Sequence, residues 1–284
     1  DTSPIKDQKA ACPAAAAWVK LTTPETRAPG DRYILTAHAL CLVNGFDHMP
    51  TLPPKAAQQE ALAVMSLPEL DNDPAAMANR AWLLFKPWEI ADPVRACQTA
   101  FDWVALVGAD KAAIDAHMLP WTQIKVVDCL MGVHAGQTPH TPTTQDMEMA
   151  LALARSAADR GDPAGDYAIG QVYHFGGGGV VVNREEAVKS YETCAAAGFN
   201  PCDWRLGNIY AYGELGYEKD LAKGVGHYKA CAQAGNFECD ARLGILYREN
   251  KSIDLTEEQA LAHLRKAAEA GISLAAENLG YSYY

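Results

Sequence analysis

The chain has 284 residues, enough for about two domains, and 49% of them are hydrophobic, enough to bury a core. Its formal net charge is −11 and no basic run occurs, which argues against nucleic acid binding because phosphate contacts need clustered Lys and Arg. No apolar stretch approaches the roughly 20 residues that cross a bilayer, so no membrane span is predicted.

The first part of the chain, residues 1–136, is predicted to be a helical region of degenerate repeats. Helices are expected at residues 12–21, 32–44, 55–66, 75–86, 94–107, 110–117 and from 120 to about 134. The connectors between them are short and contain proline or glycine, which end helices. Cys12 and Cys41 fall in the first two helices, and Cys97 and Cys129 in two later ones. Each couple could form a disulfide, although the sequence leaves the connectivity open.

A Pro/Thr-rich linker at residues 136–144 is the predicted boundary between this region and a second one, residues 144–284. The segment Gln145–Arg160 is predicted to be the second helix of an incomplete repeat. Clear repeats follow it to the end of the sequence. We therefore predict two regions with related, all-helical architecture.

The second region repeats with spacings of 37, 37 and 36 residues between boundary glycines. The boundary glycines are Gly161, Gly198, Gly235 and Gly271; a second glycine follows nine residues later at Gly170, Gly207, Gly244 and Gly280; a tyrosine follows twelve residues later at Tyr173, Tyr210, Tyr247 and Tyr283. A fixed period of this length is typical of stacked helical hairpins. The boundary glycine ends one helix in the left-handed conformation, and the second glycine allows close helix approach. Second helices are expected at 184–197, 221–234 and 256–270.

Two cysteine pairs straddle the repeat boundaries. Cys194 and Cys202 are eight residues apart, as are Cys231 and Cys239. One member lies in the last turn of a helix and the other in the first turn of the next, so a disulfide is geometrically accessible. Zinc is the alternative, but seven intervening residues do not fit the usual ligand pairs. Eight cysteines in pairs indicate an oxidising compartment.

Three strings in the repeats carry a resemblance to a known family. They are Arg205-Leu206-Gly207-Asn208-Ile209-Tyr210, Arg242-Leu243-Gly244-Ile245-Leu246-Tyr247 and Lys266-Ala267-Ala268-Glu269-Ala270-Gly271. The region resembles the Sel-one-like repeat family, relatives of the tetratricopeptide repeats. That resemblance implies a right-handed α-solenoid whose members mostly bind proteins. Cysteine-rich secreted or periplasmic members carry the same eight-residue cysteine spacing, which implies a bacterial periplasmic or secreted protein whose signal peptide is removed.

The resemblance also implies where a partner would bind, because first helices line the concave face of such a solenoid. Aromatic and polar residues recur there, and Trp, Tyr and Arg are typical anchors of protein interfaces. The partner-binding candidates are Trp204, Arg205, Asn208 and Tyr212 in one repeat, Gln171, His174 and Phe175 in the repeat before, and Arg242 in the next. The alternative is that Trp204 and Tyr212 pack between repeats.

Three aspartates form a second candidate surface. Asp166, Asp203 and Asp240 each lie five residues after a boundary glycine. They could form an acidic ladder that meets basic groups of a partner, and the acidic net charge would steer the chain toward such a surface. Alternatively, they are favourable charges in the first turn of a helix.

The sequence offers no catalytic, cofactor or metal motif. The run Gly176–Gly179 lacks the Gly-Lys-Ser/Thr of a phosphate-binding loop and is predicted to connect two helices. No Gly-x-Ser-x-Gly elbow and no metal-ligand spacing occur. We predict a non-catalytic protein, monomeric by itself, that binds another protein. Family resemblance makes an immunity protein against an antibacterial effector the concrete version, such as a phospholipase toxin of a type VI secretion system. The alternatives are a β-lactam- or cell-wall-ligand-binding or hydrolysing protein, and an envelope assembly adaptor.

Overall fold

The computed structural model describes residues 8–28, 31–44, 53–86, 90–133, 140–251 and 253–282. Within these ranges the chain forms fifteen α-helices and short 3₁₀ turns. The described residues contain no β-strand, apart from one isolated bridge between Gly177 and Val180. The predicted all-α fold is therefore confirmed. The chain divides into two compact units, residues 1–160 and 161–284.

The first unit contains eight helices among its described residues. They are α1 (Gln8–Leu21), α2 (Arg32–Asn44), α3 (Lys55–Met65), α4 (Pro74–Phe85), α5 (Pro93–Val107), α6 (Lys111–His117), α7 (Pro120–Leu130) and α8 (Thr144–Asp159). Three of them begin at proline, whose missing N–H is not needed in the first turn. Asp73 and Asp92 cap α4 and α5 by accepting a hydrogen bond from the backbone N–H of Ala76 and Arg95.

The core of the first unit lies between consecutive helices. Leu35 and Val43 of α2 pack with Met65 of α3 and Leu83 of α4. Trp103 of α5 is fully buried, and its Nε1–H donates to the carbonyl of Pro74. Burial of these large apolar side chains removes apolar surface from water, which stabilises the folded state.

Two disulfides lie within the first unit. Cys12 and Cys41 join α1 to α2, and Cys97 and Cys129 join α5 to α7; in both, the Cα atoms are 5.5 Å apart. The sequence left the connectivity of these four cysteines open, and the structure contains the two pairs that it suggested.

The second unit consists of three helical hairpins followed by a single helix. The hairpins are α9 (Pro163–Phe175) with α10 (Arg184–Ala196), α11 (Asn200–Tyr212) with α12 (Leu221–Gln233), and α13 (Phe237–Glu249) with α14 (Glu257–Glu269); α15 (Ser273–Tyr281) follows. The boundary glycines adopt φ between 81° and 89°, the left-handed region that glycine enters without a Cβ clash. Tyr283 lies outside the described residues, and the other signature positions fall where the repeat predicts them.

The second glycine of each hairpin lies against a large side chain of the second helix. A Cβ on Gly170 would lie 2.5 Å from Cε1 of Tyr191, and a Cβ on Gly207 would lie 2.5 Å from Cε1 of Tyr228. Both tyrosines are fully buried. The absence of a side chain at this position therefore lets the two helices of a hairpin approach closely.

Disulfides Cys194–Cys202 and Cys231–Cys239 connect successive hairpins across the boundary glycines. Their Cα atoms are 6.1 and 5.9 Å apart, and the described residues include no free cysteine. The disulfide prediction is confirmed and the zinc alternative is wrong.

The compact units divide between Arg160 and Gly161, further along the chain than the linker at residues 136–144 where the sequence placed the boundary. Helix α8 packs against α7 and α6, which groups it with the first unit. Residues 136–139 of the linker and the expected end of a helix near residue 134 lie outside the described residues. None of the described helices has both the length and the apolar character needed to cross a membrane.

Candidate functional site

The partner-binding candidates lie on the first helices of the three hairpins in the second unit. We call this surface the first-helix face. It comprises Gln171, His174 and Phe175 of α9, Trp204, Arg205, Asn208 and Tyr212 of α11, Arg242 of α13, and Glu214 in the 3₁₀ turn after α11.

The centre of the first-helix face is a stack of aromatic rings and guanidinium groups. Cζ of Arg205 lies 4.6 Å from the ring centre of Trp204 and 5.0 Å from that of Phe175. Cζ of Arg242 lies 5.9 Å from the ring centre of Tyr212. The contact of Arg205 with Phe175 joins α9 and α11, and the contact of Arg242 with Tyr212 joins α11 and α13. The arginine stack therefore consists of two sets of contacts, which together involve three successive repeats. Such cation–π contacts contribute about 0.5–1 kcal/mol each at exposed sites.

His174 lies beside Phe175 and is kept neutral mainly by burial. Burial, helped by the positive charge of Arg205, lowers the pKa of His174 to about 4. Its Nδ1 lies 3.4 Å from the hydroxyl of Tyr191 and its Nε2 lies 3.8 Å from Glu214. Burial raises the pKa of Glu214, and the guanidinium groups of Arg205 and Arg242 oppose that rise. Glu214 therefore lies close enough to both arginines for their charges to act on its carboxyl group.

The candidates differ in how much of each side chain a partner could touch. Gln171 and Asn208 are buried, and Asn208 Oδ1 accepts a 2.5 Å hydrogen bond from the Tyr228 hydroxyl. These two amides therefore support the hairpins from inside. Phe175 is 49% exposed. Trp204 and Tyr212 are half-buried and pack against a core that the second and third hairpins share, so the alternative of packing between repeats holds for part of each side chain.

Two of the three recurring aspartates, Asp203 and Asp240, are paired inside their hairpins. His227 Nδ1 lies 2.9 Å from Asp203 Oδ1, and His263 Nδ1 lies 2.7 Å from Asp240 Oδ1. Lys266 Nζ is 2.8 Å from Asp240 Oδ2. Since Asp240 is 0% exposed, it is not available to a partner. The sequence analysis missed these pairs, although a histidine in the second helix follows each of the two aspartates at nearly the same spacing.

Asp240→Asn is expected to lower the free energy of unfolding by about 1.5 kcal/mol, because it removes the charge that faces His263 and Lys266.

Asp166→Asn is the matched control at the same repeat position. Burial raises the pKa of Asp166, so the stability this group contributes is present below its unfolded pKa and is lost as the pH rises through its folded pKa. Relative to the wild type, Asp166→Asn should gain stability from about pH 3 to pH 7. Urea unfolding across that pH range measures the stability of both variants. Equal losses of stability for the two variants would contradict a stabilising pairing of Asp240 with His263 and Lys266.

The glycine run forms the connection between α9 and α10. Gly176–Gly179 all have positive φ, at 63°, 110°, 52° and 88°, and the segment follows a helix and not a strand. The prediction of an inter-helix loop is confirmed. Among the described residues, no group of three or more His, Cys, Asp or Glu side chains is arranged to hold a metal ion.

Comparison with known proteins places the repeats in a family. The sequence model of the Sel1 repeat matches residues 129–162, 163–198, 201–236 and 240–272. These matches follow the period defined by the boundary glycines. The first match, residues 129–162, includes α8 and is about as long as the other three, so the prediction that α8 belongs to an incomplete repeat is wrong. A search of the curated proteins gives no significant match.

Two solved structures are similar to this chain. A Sel1 repeat protein from Oxalobacter formigenes shares 28% identity over 80% of this chain and 84% of its own, with a TM-score of 0.55. The second is c5321, a protective antigen present in uropathogenic Escherichia coli strains displaying an SLR fold. It shares 17% identity over 100% of this chain and 67% of its own, with a TM-score of 0.48. Together, the four repeat matches and the helical hairpins show that the chain belongs to the Sel1 repeat family of α-solenoid proteins.

Proposed function

We propose that this protein is a non-catalytic binding solenoid that holds a protein partner on the first-helix face. One observation carries the proposal: two sets of contacts between arginine and aromatic side chains, Arg205 with Phe175 and Trp204 and Arg242 with Tyr212, lie on the first helices of three successive repeats. Aromatic and arginine side chains of this kind are the usual anchors of protein interfaces. Repeat solenoids offer extended surfaces of this type to their partners.

The concrete version of this proposal is an immunity protein of the bacterial periplasm that neutralises an antibacterial effector. Four disulfides are consistent with an oxidising compartment. Family resemblance suggests a phospholipase-type toxin of a type VI secretion system as the partner. The net charge of −11 would steer the chain toward a basic region of that partner before contact.

Phe175→Ala is expected to weaken binding of the effector by about tenfold while leaving the fold intact, because about half of that ring is exposed and it stacks on Arg205. Phe237→Ala is the matched control, since Phe237 is 41% exposed but stacks with Lys266, away from the arginine stack. The measurement is co-purification of the oxidised protein with a periplasmic phospholipase effector encoded beside it, followed by titration calorimetry of both variants.

Failure of the wild-type protein to co-purify with that effector would contradict the immunity version. Equal losses for the two phenylalanine variants would contradict the assignment of the first-helix face. Hydrolysis of a chromogenic β-lactam by the pure protein would contradict the non-catalytic proposal and favour the cell-wall-ligand alternative.

A further inference from the structure

The first-helix face contains two arginines, Arg205 and Arg242, whose charges act on the carboxyl group of Glu214 without forming an ion pair with it. Neither Arg205 nor Arg242 forms an ion pair with a described residue. The carboxyl groups that act on Tyr212 are Glu214 and Glu249, and neither lies within 4.0 Å of a nitrogen of the two guanidinium groups. This is notable in a chain with 35 acidic residues and 24 basic ones, because both arginines are only half-buried.

The same surface has more hydrogen-bond donors than acceptors. Trp204 Nε1, Arg205 Nε and Arg242 Nε are buried N–H groups for which the described residues provide no acceptor, whereas Gln171 Oε1 is the single buried acceptor of this face without a donor. Buried donors without acceptors are uncommon in native structures. These buried atoms are out of reach of a ligand, but a ligand that carries acceptor oxygens could meet the Nη groups of Arg205, which form no hydrogen bond with a described residue.

Stacking prepares Arg205 to bind a carboxylate. The aromatic rings of Trp204 and Phe175 contact its guanidinium group and thereby restrict the long side chain before any ligand arrives. A guanidinium held in this way loses less conformational entropy on binding and presents its planar fork to a carboxylate. His174 beneath the stack adds no positive charge of its own, because burial lowers its pKa to about 4.

The repeat fixes the spacing between the two arginines. Arg205 and Arg242 both lie seven residues after a boundary glycine, so they occupy the same position in successive repeats. Arg242 of α13 contacts Tyr212 of α11, so these first helices are neighbours, and we take their separation as roughly 10 Å, near that of packed helices. An extended peptide advances about 3.1 Å per residue, so two carboxylates three positions apart along such a peptide would match two adjacent repeats.

We propose, on the basis of the proposed function, that the first-helix face recognises an extended acidic segment of its partner, in which two Asp or Glu side chains three positions apart bind Arg205 and Arg242. The apolar part of the segment packs on Phe175 and the exposed edges of Trp204 and Tyr212. The contact surface thus differs in charge from the chain as a whole: the net charge acts on approach and the arginines act in the complex.

The test uses the full-length oxidised protein and a phage-displayed library of random dodecapeptides. Selected peptides should contain Asp or Glu well above the library frequency, with the favoured pairs three positions apart. The best peptide is then synthesised with its acidic residues intact and with each replaced by its amide. Affinity for the wild type, Arg205→Gln and Arg242→Gln is measured by fluorescence anisotropy.

Each glutamine variant should weaken binding of the acidic peptide by about tenfold, and each amide replacement in the peptide should do the same. Arg184→Gln is the matched control, because Arg184 is an exposed arginine of α10 that stacks on Tyr217, outside the first-helix face. Its affinity should stay within about twofold of the wild type. Arg205→Lys keeps the charge without the planar fork, so it should bind with intermediate affinity if the fork matters.

Three results would overturn the acidic-segment proposal: no selected peptides, selected peptides without acidic enrichment, or acidic peptides that bind equally well to the two glutamine variants. If basic or apolar peptides are selected and Phe175→Ala abolishes their binding, the first-helix face still binds proteins and only the acidic segment is wrong. If Phe175→Ala also has no effect on the selected peptides, the proposed function fails with it. Circular dichroism of each variant excludes unfolding as the cause of a loss.

Discussion

Removing the disulfide between Cys97 and Cys129 is expected to lower the free energy of unfolding of the first unit by about 4 kcal/mol. The bond joins α5 to α7 across 32 positions of sequence, and both cysteines are buried. A cross-link over a loop of this length removes many conformations from the unfolded chain, and that loss of unfolded-state entropy is the main source of its stabilisation. The double variant Cys97→Ala/Cys129→Ala should unfold at a much lower denaturant concentration.

The matched control is Cys231→Ala/Cys239→Ala in the second unit. That disulfide spans only eight positions, so its removal should cost about 2.5 kcal/mol in the same chain-entropy account. Guanidinium unfolding followed by circular dichroism measures both variants. A larger loss for the short loop would mean that packing around the sulfur atoms, and not unfolded-state entropy, sets the contribution of these bonds.

Gly207→Val is expected to destabilise the second unit by about 3 kcal/mol. The first added carbon would lie 2.5 Å from Cε1 and 2.6 Å from Cδ1 of Tyr228. That ring cannot move aside easily, because Tyr228 is fully buried and its hydroxyl donates to Asn208. The second hairpin must therefore open, or the ring must leave its position. Thermal unfolding gives the loss, and the near-ultraviolet circular dichroism of the tyrosine reports the displaced ring.

Gly280→Val tests the same repeat position in a different environment. Gly280 is the second glycine of the last repeat, and an added Cβ there would meet nothing within 4 Å. Valine is also a better helix former than glycine, so this variant should be neutral or slightly stabilising. A similar loss for both variants would show that the glycine is needed for its backbone and not for close helix approach.

The repeated part of the candidate site was accessible from sequence because identical offsets from a boundary glycine place side chains on the same face. Arg205 and Arg242 share one such offset, and the structure puts both on the first-helix face. Sequence could not show that Phe175 and Trp204 enclose the Arg205 side chain. That arrangement depends on how two hairpins pack, and only the distances between their side chains reveal it.

The aspartates illustrate the limit of reasoning from one helix at a time. Asp203 and Asp240 look alike along the sequence, as an acidic ladder or as favourable first-turn charges. Their partners His227 and His263 belong to the second helices, and the pairing exists only because each hairpin folds back on itself. A search for residues that recur at a fixed distance from each aspartate would have found these histidines.

By itself the sequence determined the helical hairpin, its period and the two short disulfides. Each of these follows from local rules: glycine ends a helix, a fixed spacing repeats, and cysteines eight apart on either side of a tight turn can meet. Tertiary structure alone decided the connectivity of Cys12, Cys41, Cys97 and Cys129, the burial of Asp240, and the grouping of α8 with the first unit. These depend on contacts between residues far apart in the chain, and packing of whole helices, not the preferences of any one segment, selects them.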